Sequence, residues 1–482
     1  MHNHYDIGNA NKTPVYHTSL CYLSLLFMTL VACLVSYSLA EAGLTHSPAP
    51  LSVQTVYEIT NGQWFDGETF QRMTFYAKDG HLTKTRPAVV DEVINLDGGF
   101  VLPPFGEAHT HKVEGPWNIE QAVVTYLKHG VFYVKNPNSI RTFTEQIRGS
   151  INIPQSIDVT FAHAGLTSSM GHPVALYEDF LRVHRYEPFI GQKKRGWFKG
   201  RGYFTIDSKE DFDLKWPRIL LGKPDFLKIY VGHSMPSDAT HTSTTPYFRQ
   251  GLKPDLIPLI VKRAHEHGLR VSAHVETADD FREAVLGGVD EIAHTPGWYL
   301  PDKELAARTV LQKQDAELAA RHNVTVVTTT VASLFPPSGH HQPSHAKPHS
   351  HASNSLTKHQ KATLKHHQHI IRDVLSQNLR LLHGQGVNLA IGSDHAETSL
   401  AEALFLHQLG IFHNLTLLKL WCENTAETIF PHRKIGKLEE GYEASFIVLP
   451  DNPIQNFQEV RHISFRMKQG RPLLANSSFD AQ

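Results

Sequence analysis

A chain of 482 residues is longer than one ordinary domain yet within the range of a single barrel with insertions, so length leaves the domain count open. Lys and Arg number 46 against 47 Asp and Glu, which excludes the basic excess that sequence-independent nucleic-acid binding needs. The 33 His are the unusual feature, because imidazole is the commonest metal-ligating side chain.

From Leu20 to Ala40 no residue is charged, and the run from Leu23 to Ala32 has the apolar density of a signal-peptide core. Export to a periplasmic or extracellular space is therefore expected, and residues 1–40 are set apart from the fold. Three forms stay open: cleavage after Ser38-Leu39-Ala40, lipid attachment at Cys33 in Leu30-Val31-Ala32-Cys33, and an uncleaved anchor over 20–40. The last is long enough, since about 20 apolar residues span a bilayer. Of three Cys, two lie in this segment, so no disulfide framework is expected.

Residues 53–100 show short alternating strands broken by Asn61-Gly62, Asp66-Gly67, Asp79-Gly80 and Gly98-Gly99, a pattern of antiparallel β structure. The same texture returns over 430–475, so the two chain ends are expected to pair into one small composite β-sandwich domain. Between them, over 101–429, apolar strands alternate with amphipathic helices. Strands are expected at 100–104, 130–135, 157–162, 225–231, 269–274, 289–294, 323–330 and 387–393. Helices are expected at 118–129, 255–267, 277–286, 302–321, 357–385 and 399–411. Eight strands with intervening helices predict an α/β fold, a (β/α)8 TIM-like barrel. The alternative, an open doubly wound sheet, is weakened because no Gly-rich dinucleotide fingerprint follows any strand. Two insertions interrupt the alternation. Residues 185–224 read as an elaborated loop over the rim, and residues 336–369, with nine His among Pro, Ser and Lys, as a His-rich loop too polar to order itself.

Six residues stand at strand ends in this scheme. His109 and His111 are two apart in an extended segment, which points both imidazoles to one side. Lys228 lies in the apolar strand Asp225–Val231, where burial disfavours the ammonium; a neutral amine there can take up carbon dioxide as a carbamate, the alternative being a lysine held in a salt bridge. His274 and His294 end two successive strands, and Asp394 ends the last, where it could bind metal, cap a helix or do both. Singly, each is as readily a structural residue. Barrels collect their chemistry at the C-terminal rim of the strands, so together they predict one metal site.

With these residues in place, the chain resembles the amidohydrolase superfamily, closest to its imidazolonepropionase-like and dipeptidase-like branch. The resemblance implies that His109, His111, Lys228, His274, His294 and Asp394 hold one or two divalent metal ions, most readily Zn, with Lys228 N-carboxylated in the two-metal form. Asn424-Thr425-Ala426 resembles the family's last barrel helix, and Ile435 to Gly441 its C-terminal signature. Three steps depart from the pattern: Phe105-Gly106-Glu107 where an apolar residue, Ile and Asp are usual, Ser393 where a Thr is usual, and Ser445 after Ala444 where an Asp is usual. The first is expected to alter the bonding around His109.

The function so implied is hydrolysis of a carbon–nitrogen bond in an amide, cyclic amide or dipeptide by a metal-activated hydroxide. Asp394 serves as general base and His294 as ligand and carbonyl polariser. His172 resembles a family loop residue near the substrate. Tyr230 and His233 follow Lys228 on the rim and are placed to orient substrate or stabilise an oxyanion, packing or solvent-facing roles being the alternative. The partners expected are a small-molecule amide or peptide, the membrane only through the N-terminal segment, no nucleic acid and, as an open alternative, a second copy of the chain. A function of another class also stays open: an exported metal-handling protein using the His-rich loop on the same barrel.

Overall fold

The computed structural model describes residues 55–232, 251–297, 307–334 and 358–473, with side chains in the last segment described from 369. The export segment with Cys33, His233, and the His-rich residues 335–357 lie outside the described residues. Among the described residues no helix is long and apolar enough to cross a membrane.

The first strands are β1 Tyr57–Phe65, β2 Phe70–Lys78, β3 His81–Thr83, β4 Glu92–Asn95 and β5 Phe100–Leu102. Local chemistry sets their turns. Asp79 and Gly80 both take positive φ, 52° and 77°, the tight hairpin turn whose twist matches the flanking strands. Asp66 closes the β1–β2 turn by accepting the backbone N–H groups of Glu68 and Thr69 at 3.0 and 2.8 Å. β5 then pairs antiparallel with β16 Phe446–Leu449, which continues to β17 Phe465–Lys468 and β18 Arg471–Pro472. The two chain ends therefore share one sheet, as the composite β-sandwich domain requires.

The strand expected to open the barrel at 100–104 belongs instead to the sandwich, and the first barrel strand lies just beyond it. Pro103 and Pro104 lack the N–H that a ladder needs, so β5 stops at Leu102 in the sandwich and β6 Phe105–Glu107 begins the barrel. From β6 the ladder runs parallel through β7 Val131–Asn136 to β8 Asp158–Phe161. After a break at His163, φ 55°, the chain resumes as β9 Gly165–Thr167, flanked by β10 Tyr203–Thr205 and β11 Leu227–Tyr230. The second arc is β11, β12 Val271–His274, β13 Glu291–Ile292, β14 Thr325–Val327 and β15 Asn388–Ala390, all parallel. Two seams join the arcs. Asp225 N–H donates to Phe161 O at 2.8 Å, and Ala108 N–H to Ile391 O at 2.9 Å, followed by a parallel bridge between Thr110 and Asp394. The result is the (β/α)8 barrel.

The insertion 185–224 is more regular than its composition suggests. A π-helix, Leu176–Tyr186, runs into its first two residues, and it contains the helix Lys209–Leu221. Two local signals mark the latter: Ser208 accepts Asp211 N–H at 3.2 Å as an N-cap, and Phe212, Trp216 and Ile219 bury one face at helical spacing. The helix expected from 302 is described as Lys313–Arg321, started by a reciprocal cap between Gln312 and Asp315.

Candidate active site

β6 and β15 deliver the first donors by approaching closely at their C-terminal ends. Gly392 permits this: a Cβ there would meet His109 Cβ at 2.8 Å and His109 N at 2.9 Å. Asp394 takes φ 52° and donates its N–H to His109 O at 2.7 Å, which fixes the carboxylate over the barrel mouth. Its Oδ1 stands 3.7 Å from Nε2 of both His109 and His111. The donor atoms of His109, His294 and Asp394 all lie within 4.8 Å of one another. The ring of His294 is 4.4 Å from that of His109 and 4.7 Å from that of His274.

Each of the four imidazoles has one nitrogen committed to the protein. His109 donates Nδ1–H to Ala293 O at 3.0 Å, His111 Nδ1 meets Glu114 Oε1 at 3.0 Å, and His294 Nδ1 meets Thr329 Oγ1 at 3.0 Å. His274 is turned the other way, with Nε2 at 2.7 Å from Glu276 Oε1. The opposite nitrogen of each ring is thereby the one able to ligate. Burial pushes His109, His274 and His294 well below the ordinary imidazole range, and the Lys228 ammonium adds to this, so the rings are neutral, the form a cation needs.

Lys228 is 2% exposed, and its Nζ has no hydrogen-bond partner among the described residues. Burial lowers it to about 7, against the pull of the Glu291 and Asp394 carboxylates. Tyr230, two residues on, packs its ring 5.6 Å from Nζ and 5.4 Å from the His274 ring. His172 completes this side, 5.0 Å from His274 and 5.2 Å from Tyr230 between ring centres. The structure thus brings His109, His111, Lys228, His274, His294, Asp394, His172 and Tyr230 to one mouth; His233 lies outside the described residues.

Two of the departures noted in the sequence meet each other. Ser393 donates its hydroxyl to Glu107 Oε2 at 2.6 Å and its N–H to Oε1 at 2.8 Å, and His109 N–H also reaches Oε1, at 3.2 Å. A longer acid on β6 is matched by a smaller hydroxyl residue after β15, and the pair staples the barrel's first strand to its last. Burial raises the Glu107 carboxyl to about 8, with the Ser393 and His109 donors opposing.

The partners that hold the imidazoles are absent from the sequence reading. Glu114 and Glu276 had a local signal, a carboxylate three and two residues after a strand-end His. Glu114, although buried, is held below its ordinary range by the Arg185 guanidinium and His111. Burial, with the Asp280 and Asp394 carboxylates nearby, pushes the Glu276 carboxyl well up. Thr329, with φ 43°, carried no signal, since its role depends on a strand end 35 residues from its partner.

No curated protein matches the chain in sequence. Solved structures similar to it include an amidohydrolase, 19% identical, covering 88% of this chain and 100% of that one with a TM-score of 0.62. A Xaa-Pro dipeptidase with methionine bound in its active site is 16% identical, covering 87% and 99% at a TM-score of 0.62. Ochratoxinase of A. niger is 16% identical, covering 87% and 95% at 0.63. At these identities the likeness is one of fold. In sequence, the model of the Amidohydrolase family matches residues 229–473, half of the chain, from β11 to the last sandwich strands. The chain therefore belongs to the amidohydrolase family and is a hydrolase acting on carbon–nitrogen bonds.

Proposed function

We propose that the enzyme cleaves an amide, cyclic amide or dipeptide bond with one or two divalent metal ions held by His109, His111, Lys228, His274, His294 and Asp394. What carries this reading is the clustering of His109, His294 and Asp394 donor atoms within 4.8 Å, above a buried amine that has no hydrogen-bond partner among the described residues. Neutral imidazoles with a carboxylate suit zinc, manganese, iron or cobalt, zinc being the first choice. A bound divalent ion supplies a Lewis acid that polarises a carbonyl and acidifies water.

The chain's own groups divide the remaining work. Asp394, at the mouth and facing two imidazoles, takes the proton from the attacking water and returns it to the departing nitrogen. His294, tied to Thr329 through Nδ1, would hold through Nε2 the ion that polarises the carbonyl. His172 and Tyr230 line the mouth beyond His274 and orient the substrate. In the two-metal form Lys228 carries a carbamate, an anionic oxygen ligand; in the one-metal form it stays a plain amine. The uncharged run Leu20–Ala40 supports an exported enzyme.

Metal content, the mass of the Lys228 peptide, and turnover of a panel of N-acyl amino acids, dipeptides and cyclic amides test the proposal together. Asp394→Asn is expected to keep the fold and lower kcat by about 10²–10⁴. Full turnover by that variant, with metal retained, sinks the mechanism.

A further inference from the structure

Glu114 is held from two sides. Its Oε1 meets Nδ1 of His111 at 3.0 Å. Its Oε2 accepts the Tyr186 hydroxyl at 3.0 Å and stands 2.9 Å from Arg185 Nη2. The same Nη2 also donates to the main-chain carbonyl of His111 at 3.2 Å, so both the ring and the backbone of His111 are tied to one helix end. That end closes the π-helix Leu176–Tyr186, which lies outside the strand-and-helix alternation of the barrel. Tyr186 is 1% exposed and wedged among the rings of Phe198, Phe143, Trp117 and Tyr177 at 5.4 to 6.2 Å. A packed aromatic cluster therefore delivers its hydroxyl to Glu114.

A carboxylate bonded to one nitrogen of a ligating imidazole fixes the ring's orientation and strengthens the other nitrogen as a donor. Plain anchoring of the π-helix would need only the Arg185–Glu114 pair. The added bonds to the His111 ring and carbonyl convert the seating of this helix into the position of Nε2. We infer that Glu114 is a positioning residue for His111, and that the helix Leu176–Tyr186 sets the metal affinity of the pocket through it. The inference rests on His111 being a metal ligand, as proposed above.

The test uses the full chain, stripped of metal and titrated with Co(II) against a chromophoric chelator, with the visible spectrum of the cobalt form recorded. Glu114→Gln is expected to weaken Co(II) binding about 10- to 100-fold and shift the cobalt bands. Tyr186→Phe keeps the packed ring and loses only the donor; it is expected to weaken binding about three- to tenfold, so it carries the test if Glu114→Gln fails to fold. Arg185→Lys, which keeps the charge, is expected to lose less than Arg185→Gln. Wild-type cobalt affinity and spectrum in folded Glu114→Gln or Tyr186→Phe, with only a lower Tm, would make the contact a structural clamp and overturn the inference. His111→Ala separates the two levels. Loss of a metal in that variant upholds the ligand assignment, whereas undiminished uptake overturns the assignment and the coupling with it.

Discussion

Lys135 and Lys228 project into the same barrel and are almost equally closed to water, at 4% and 2% exposure, yet they are treated in opposite ways. Lys135, on β7, reaches across to Glu291 on β13 at 2.7 Å, and the second Glu291 oxygen accepts the Ser272 hydroxyl at 2.7 Å. The ammonium also rests 4.1 Å from the centre of the Phe226 ring. Lys228 shares a row with that network, since Lys228 pairs with Ser272 and Ser272 with Glu291 in the ladder, but its Nζ joins none of it. The bottom of the barrel follows Lys135: Asp158 receives Lys468 at 2.7 Å and Arg433 at 2.9 Å. A buried charge that is fully paired fixes geometry, whereas a buried amine with no hydrogen-bond partner among the described residues departs from the rule that interior polar groups are satisfied.

Breaking the Lys135 pair should have the largest effect on stability. Lys135→Met leaves Glu291 buried with only the Ser272 hydroxyl, and removing one partner of a buried ion pair costs about 3–5 kcal/mol. Urea unfolding of the metal-free chain would register this as a large fall in midpoint at constant slope. An unchanged midpoint would mean that the Lys135–Glu291 bond does not bear on the fold, and the contrast with Lys228 would lose its first half. A smaller loss is expected at the barrel seam. Ser393→Ala removes the 2.6 Å hydroxyl bond to Glu107 but spares the backbone donors of Ser393 and His109, so about 1–2 kcal/mol is expected from the same unfolding curves. A loss as large as that of Lys135→Met would show the seam to be a second fully dependent network.

The alternation of apolar strands with amphipathic helices was legible because parallel barrel strands are buried on both faces, so each reads as a short apolar run such as Val131–Val134 or Val324–Val327. Strand ends were legible for the same reason, and with them the positions of Lys228, His274 and Asp394. The two-proline break at Pro103 was visible in the sequence, but its consequence, a change of sheet, depends on β16 arriving from the far end of the chain. The π-helix Leu176–Tyr186 was hidden because its stability comes from the ring cluster it joins rather than from a regular local period. The bonds that orient the imidazoles were hidden more deeply. His109 spends Nδ1 on a carbonyl 184 residues away, and no local pattern encodes a partner that only barrel closure supplies.

The smallest stability effect is expected at Lys228, and it sharpens the comparison most because its sign is opposite. Met has nearly the length of Lys and no polar head, so Lys228→Met in the metal-free chain replaces an amine with no hydrogen-bond partner among the described residues by a group that has nothing to satisfy. The cost of burying that amine disappears, while the ring of Tyr230 and the neighbouring imidazoles still have a side chain to pack against. Stability is therefore expected to stay level or rise by about 1 kcal/mol, although metal uptake and turnover fall. The mismatch between the two readouts is the informative quantity. A residue that serves the fold loses both together, as Lys135→Met should, whereas one maintained for a ligand trades stability for it. If Lys228→Met instead unfolds as readily as Lys135→Met, then Lys228 is a second structural cation, and the barrel mouth is built by the same rule as its base.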